Sequence, residues 1–354
     1  MVQTRDQSLK TGNPATLSSA MPASCSLCGR ACQARRESGE TGYCGAGDRI
    51  GLAAALLHHG EEPPISGLDP QQGGSGTIFF TRCPLRCVFC QNWQISQAVP
   101  PAGQHLPQAE NAMPGVPARE ITAEDLAGLM LNLEKKGALN INLVSPTPYV
   151  PQIALALRLA GKAGLRLPIV YNTGGYDSLE ALRLLDGLID IYLPDAKLAP
   201  ETEASAGEPD PLAARLLGAA DYTRVNRLAL AEMFRQTGHL RMDARGVARR
   251  GLLIRHLVLP GNLARTRQLI PWLAQNFGPD LHFSLMAQYR PMHRVLNEPE
   301  FLADLPDLIR PLREEEYEEV MDEALEYGLI HTFIQELESS GTYLPDFTRR
   351  NIFA

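Results

Sequence analysis

A parallel α/β sheet, wound as a partial TIM-like (β/α)6 barrel, is the fold class this sequence predicts. From Gly76 onward, short apolar runs alternate with stretches whose apolar residues recur at helical spacing. Alternating βα units imply parallel strands joined by right-handed crossovers. Six strand-like runs fit an incomplete wall better than a closed eight-stranded one. All seven cysteines lie in the first 90 residues, which sets a small cysteine-rich module ahead of the barrel.

The elements follow in order. "GTIFF" at 76–80 is the first strand and leads straight into three cysteines. A Pro- and Gly-rich insert, Ala98–Glu120, reads as a long loop. The helix over 121–137 opens on Thr122 with Asp125 three residues on, a capping-box-like start. Strands are expected at 141–145, 167–173, 189–195, 251–261 and 281–289. Helices are expected at 149–164, closed by Gly164, and at 178–187, 210–218 and 223–238. Two more are expected at 264–278, with Pro271 in its path, and at 313–328. "GGSG" at Gly73–Gly76 precedes a strand rather than opening a helix, so it reads as a flexible linker and not a phosphate loop. The organisation expected is a disordered lead (1–24), a cysteine-rich metal-binding module (25–75), a core (76–335) and a tail (336–354).

The balance of charge narrows the partners. A formal net charge of −7 lacks the basic surplus that nucleic-acid binders use against phosphates. No run reaches the roughly 18–20 apolar residues that a membrane helix needs. "GLAAALLHHG" stops at His58 and His59. The amino terminus has no apolar stretch suited to a signal peptide, so the expected compartment is the cytoplasm. An odd number of cysteines there argues for metal or redox chemistry over disulfides.

Cys83, Cys87 and Cys90 are spaced C-x3-C-x2-C and follow the first strand. Chemistry in such barrels sits on loops after strand carboxyl ends. Closely spaced thiolates suit zinc or iron–sulfur clusters. A structural zinc site wants four ligands, which would require His58, His59 or His105 to fold in. On a [4Fe–4S] cluster, three cysteines leave one iron open. Cys25, Cys28, Cys32 and Cys44 form a second group, C-x2-C-x3-C-x11-C. Four thiolates close a coordination set, and zinc and a [4Fe–4S] cluster both suit it.

The C-x3-C-x2-C spacing with Phe89 before the last cysteine resembles the radical S-adenosylmethionine (SAM) superfamily. The stretches "GTIFFTRCPLRCVFCQNWQIS", "INLVSPTPYVPQI", "LPIVYNTGGYDS", "DIYLPDAK", "GLLIRHLVLPG" and "SLMAQYRP" are similar to PflX-type proteins, relatives of the pyruvate formate-lyase activating enzymes. The resemblance implies a radical SAM barrel in which SAM chelates the open iron. Reductive cleavage then yields a 5′-deoxyadenosyl radical that abstracts hydrogen. It also implies an oxidoreductase fed by an electron donor such as flavodoxin or ferredoxin. The substrate it implies is a glycyl residue of a partner protein; a small molecule or a peptide is the alternative.

Residue by residue, the resemblance places Ser145 and Thr147 of the "SPTP" turn at the SAM amino group. Asn172-Thr173 stands where activating enzymes carry Asp-Thr. It places Asp195 at a ribose hydroxyl or the amine, Lys197 and Arg255 at the SAM carboxylate, and Tyr289 with Arg290 near the adenine. The rival from another class is a non-catalytic module with both cysteine groups on metal, which would purify colourless if the metal were zinc.

Overall fold

The computed structural model describes residues 23–69, 73–97, 116–335, 337, 344–349 and 351–353. Most of the expected lead, residues 98–115 of the insert, His105, and parts of the tail lie outside these described residues.

Ten strands form the sheet: β1 Ile50–His58, β2 Ser75–Phe80, β3 Arg119–Ile121, β4 Ile141–Val144, β5 Ile169–Thr173, β6 Ile191–Pro194, β7 Arg241–Met242, β8 Ala248–Leu257, β9 His282–Met286 and β10 His331–Ile334. The helices are α1 Pro63–Ser66, α2 Trp93–Ser96, α3 Ala123–Lys135, α4 Val150–Lys162, α5 Leu179–Leu184, α6 Pro211–Leu217, α7 Tyr222–Thr237, α8 Thr266–Phe277, α9 Arg294–Asn297 and α10 Glu314–Glu326. The strand order is β10-β9-β8-β6-β5-β4-β2-β1-β3, with β7 paired to β8. From β2 to β10 every neighbouring pair on that path is parallel. The α/β class with a mostly parallel sheet is therefore as the alternation implied.

The strand count differs. β10 is a seventh parallel strand, paired with β9 after the last helix. Its "HTFI" is short and largely exposed, so it carries no buried apolar run to read. At the other end, β1 pairs antiparallel with β2, and β3 with β1. "GLAAALLH" is thus sheet, inside the stretch expected to be cysteine-rich module. Arg119 and Glu120, expected in the insert loop, begin β3. Gly73 and Gly74 do not form a flexible linker. They hold positive φ, and a Cβ on Gly73 would lie 2.0 Å from the Gly137 carbonyl.

Strand side chains alternate between two faces. Ile141, Leu143, Tyr171, Tyr192, Ile254 and Phe283 face the helices and build the main core. On the other face, Val170, Ile191, Leu193 and Leu253 close around Ile65 of α1. α1 therefore plugs the floor inside the sheet. Above that apolar layer, the same inward face continues through Asn172 and Arg255 toward the strand carboxyl ends. The expected start of α3 is present: Thr122 Oγ1 accepts from the Asp125 N–H at 3.1 Å, and the Asp125 carboxylate accepts from the Thr122 N–H at 2.9 Å. Among the described residues no helix is long and apolar enough to cross a membrane.

One turn above β5 needs glycine. Gly175 has φ +73°, and a Cβ there would meet Asn226 Nδ2 at 2.2 Å and the Asp195 carbonyl at 2.4 Å. Gly175→Ala is expected to cost about 2–5 kcal/mol, summing left-handed strain and overpacking. Urea unfolding of the variant beside the parent checks it.

Candidate active site

The cysteine loop leaves β2 through Arg82, which holds a left-handed φ of +70°. The Arg82 N–H donates to the Ile95 carbonyl at 2.8 Å. Further along, the Arg86 and Val88 N–H groups donate to Leu217 and Leu216 at the end of α6, both at 2.9 Å. Those are carbonyls that a helix terminus leaves without intrahelical partners. Gln97 Nε2 donates to the Cys87 carbonyl at 2.7 Å, and Gln91 Nε2 to Gln288 at 3.0 Å. The loop is thereby fixed between α6 and the turn after β9.

Cys83, Cys87 and Cys90 are free thiols. Burial pushes Cys87 up to about 12, against the pull of the Lys197 ammonium. Burial likewise holds Cys83 well above the usual thiol range, reinforced by Cys87 and opposed by the Leu85 N–H and Lys197. Metal ligation reverses that cost, since a coordinating thiol is deprotonated outright. His58, weighed as a fourth zinc ligand, is instead stacked on Phe353 at 4.0 Å. The donor set fits a three-cysteine iron–sulfur cluster.

Asp195, Lys197 and Arg255 come together. Asp195 accepts from Lys197 Nζ at 2.5 Å and from Arg255 Nε at 2.9 Å. Asp195 does not cap a helix, Lys197 is part-exposed but paired, and Arg255 binds more than one partner. Arg255 Nη2 also donates to Asn172 Oδ1 at 2.6 Å. Burial raises the Asp195 carboxyl, but the two cations outweigh it and hold the group below its ordinary value. Lys197 is raised for the complementary reason: burial lowers it and Asp195 more than restores it.

Thr147 and Thr173 meet at 3.2 Å, but their hydroxyls donate to the buried Asp177 carboxylate at 2.7 and 2.6 Å. They brace the turns after β4 and β5. Ser145 holds φ +59°, with its N–H on the Asn172 carbonyl at 2.9 Å. Phe89 and Tyr289 meet edge to face at 6.4 Å, and the Tyr289 hydroxyl donates to the Leu308 carbonyl at 2.6 Å. The Tyr289 side chain is 2% exposed, so neither its hydroxyl nor its ring stands open to a base, unlike the expected place near the adenine. Arg290 is exposed.

Two acidic residues escaped the sequence reading. Glu61 accepts from Asn142 Nδ2 at 2.9 Å and from Arg255 Nη1 at 3.4 Å. Glu62 is buried beside it, and its Oε2 has no hydrogen-bond partner. Burial raises both carboxyls, against Arg255. The only signal was two acids beside Pro63 and Pro64, ahead of the apolar plug at Ile65.

A raised carboxyl has a defined sign. The Glu62 proton is held more tightly folded than unfolded, so its share of stability is present below the unfolded value and is lost as pH rises through the folded one. Glu62→Gln is expected to match the parent in acid and to exceed it in stability at neutral pH. Urea midpoints across that range test this.

Residues 77–238 match the family model of the Radical SAM superfamily. The chain carries a Radical SAM superfamily domain. The matched span of this radical SAM domain runs from β2 through α7 and includes the three-cysteine loop, Asn172, Asp195 and Lys197. A relative, the uncharacterized protein MJ0674 of Methanocaldococcus jannaschii, is 28% identical over 308 residues, covering 86% of this chain and 75% of that protein. The radical SAM family implies a [4Fe–4S] cluster and SAM, and the thiols above fit that cluster.

Proposed function

We propose that this protein is a radical SAM enzyme of the activating-enzyme type, acting on a glycyl residue of a partner protein. The observation that carries the enzymatic reading is the three thiols of one loop, Cys87 buried and Cys83 and Cys90 part-buried, beside a Lys197–Asp195–Arg255 network at the strand carboxyl ends. When bound, the cluster and SAM supply a reducing electron and a 5′-deoxyadenosyl radical that takes a hydrogen atom from the substrate.

The chain's own residues bind and orient. Cys83, Cys87 and Cys90 would hold the cluster. Lys197 and Arg255 are both held by Asp195, with Glu61 also on Arg255, and they present N–H donors for the SAM carboxylate. A guanidinium forks well onto such a group. Asp195 fixes both cations and presents an acceptor for the SAM amine or ribose. The apolar plug at Ile65 excludes water from below.

The glycyl substrate rests on the sequence stretches shared with activating enzymes and on a sheet that ends at β3 and β10 along its path. Incubating reduced, SAM-loaded enzyme with candidate glycyl-radical proteins and recording electron paramagnetic resonance tests it. A glycyl doublet is the expected result. Deuterium transfer into 5′-deoxyadenosine from a labelled metabolite, with no doublet on any candidate, would move the assignment to small-molecule chemistry.

A further inference from the structure

The function just proposed leaves four cysteines unused. They are not a remote appendage. Cys25 and Gln33 close a small loop: the Cys25 N–H donates to Ala34, and the Gln33 N–H to the Cys25 carbonyl, both at 3.0 Å. Ala31 and Gln33 both hold left-handed φ, +40° and +58°, a bend unusual for residues with a Cβ. The bend turns the sulfurs toward backbone donors. The Leu27 N–H faces Cys25, the Arg30 N–H faces Cys28, and the Ala34 and Tyr43 N–H groups face Cys32. Cys28 lies within electrostatic reach of the other three. Cys32 Sγ rests against Gly42, where a Cβ would come within 2.3 Å of it.

A buried cation completes the site. Arg36 is 3% exposed and has no carboxylate partner among the described residues. It donates to the Pro148 carbonyl at 2.5 Å and to Cys44 Sγ at 3.4 Å, and its Nε has no partner. A buried guanidinium needs an anion. Four thiolates around metal supply net negative charge at that point.

The two cysteine groups are also bolted together. Arg30, between Cys28 and Cys32, donates through Nε to the Pro84 carbonyl in the catalytic loop at 3.1 Å. Arg86, in the catalytic loop, donates back to the Tyr43 carbonyl beside Cys44 at 3.3 Å. Both guanidinium groups lie over the Tyr43 ring, at 3.7 and 4.3 Å. Cys28 and Cys87 belong to one continuous apolar cluster with Leu85 and Tyr176.

We infer that Cys25, Cys28, Cys32 and Cys44 hold a second iron–sulfur cluster, which relays electrons to the centre at Cys83, Cys87 and Cys90. The relay half rests on the radical SAM function proposed above; the metal half does not. Hydrogen bonds to sulfur and a nearby charge are the levers that set a cluster's potential, and this site has both. The step is one electron. A reduced flavodoxin- or ferredoxin-type protein is oxidised by one electron, the second centre takes it up and returns to its oxidised state on passing it inward, and no bond or proton is exchanged.

The test uses the full chain, reconstituted anaerobically with iron and sulfide. Cys83→Ala/Cys87→Ala/Cys90→Ala should keep about four irons and four sulfides with a cubane Mössbauer signature, about half the parent's content. Zinc without iron in that variant, or no metal, overturns the inference. The reciprocal variant, with the other four cysteines changed to alanine, should keep about four irons. If it keeps none while the first keeps its cluster, the proposed catalytic centre fails and the second centre stands. The relay is read by freeze-quench electron paramagnetic resonance of the catalytic centre. Reduction by the donor protein should be at least about tenfold slower without the second centre, and equal rates overturn the relay. Should circular dichroism show the fourfold variant unfolded, Cys28→Ser/Cys32→Ser, which leaves too few thiolates for a cubane, gives the same readings.

Discussion

Cys87→Ala is expected to abolish reductive SAM cleavage. 5′-Deoxyadenosine production should fall at least about a thousandfold, equivalent to ~4 kcal/mol of barrier. Three thiolates are the smallest set that holds a cubane with one iron left open. Cys87 is also the buried thiol of the loop whose carbonyl is pinned by Gln97. Cys83→Ala and Cys90→Ala should do the same. Iron lost should be that of the catalytic loop alone, since the four other thiols lie in a separate loop. Cleavage retained by Cys87→Ala would remove this loop from the chemistry.

How much of this could be read from the sequence depends on what each feature rests on. The cysteine loop is local, so spacing and the strand before it were enough. The inward alternation of β4 to β9 is also local, and it brought Asn172, Asp195 and Arg255 to the same ends. The Lys197–Asp195–Arg255 geometry was legible only as a shared position. β10 and β3 were missed because short, exposed strands have no apolar period, and β1 because its run was read for membrane insertion and not for pairing. Glu61 is placed by a helix plug, and plugs leave no pattern in sequence. Thr147 and Thr173 were expected at the cofactor, yet Asp177 claims both hydroxyls. That carboxylate lies four residues beyond Thr173, in a turn whose direction no periodicity fixes. The interlock of Arg30 and Arg86 is a contact between distant segments, and only the folded chain shows it.

Asp195→Ala should have the second large effect. It leaves Lys197 and Arg255 facing each other without the carboxylate that both contact. Breaking a mostly buried charge network from one side costs about 3–5 kcal/mol, because the remaining charges stay buried and unpaired. Asn172 and Glu61 remain on Arg255, so that side is partly held. Lys197 is the more exposed to the loss, and it faces the cysteine loop. Arg255→Ala should cost less, since Asp195 keeps Lys197. Both variants should keep the iron of the catalytic loop and lose SAM affinity by about thirtyfold or more, the ~2 kcal/mol at the low end for a close charge pair. Equilibrium dialysis with SAM and iron analysis on the same samples separate the two effects. The pH dependence adds a signature. Asp195 is held below its ordinary value, so its contribution is present above the unfolded carboxyl value and lost as pH falls through the folded one. Asp195→Asn should therefore flatten the acid limb of the stability curve. If SAM affinity is unchanged in both Asp195→Ala and Arg255→Ala while stability falls, the network holds the strands together and SAM lies elsewhere.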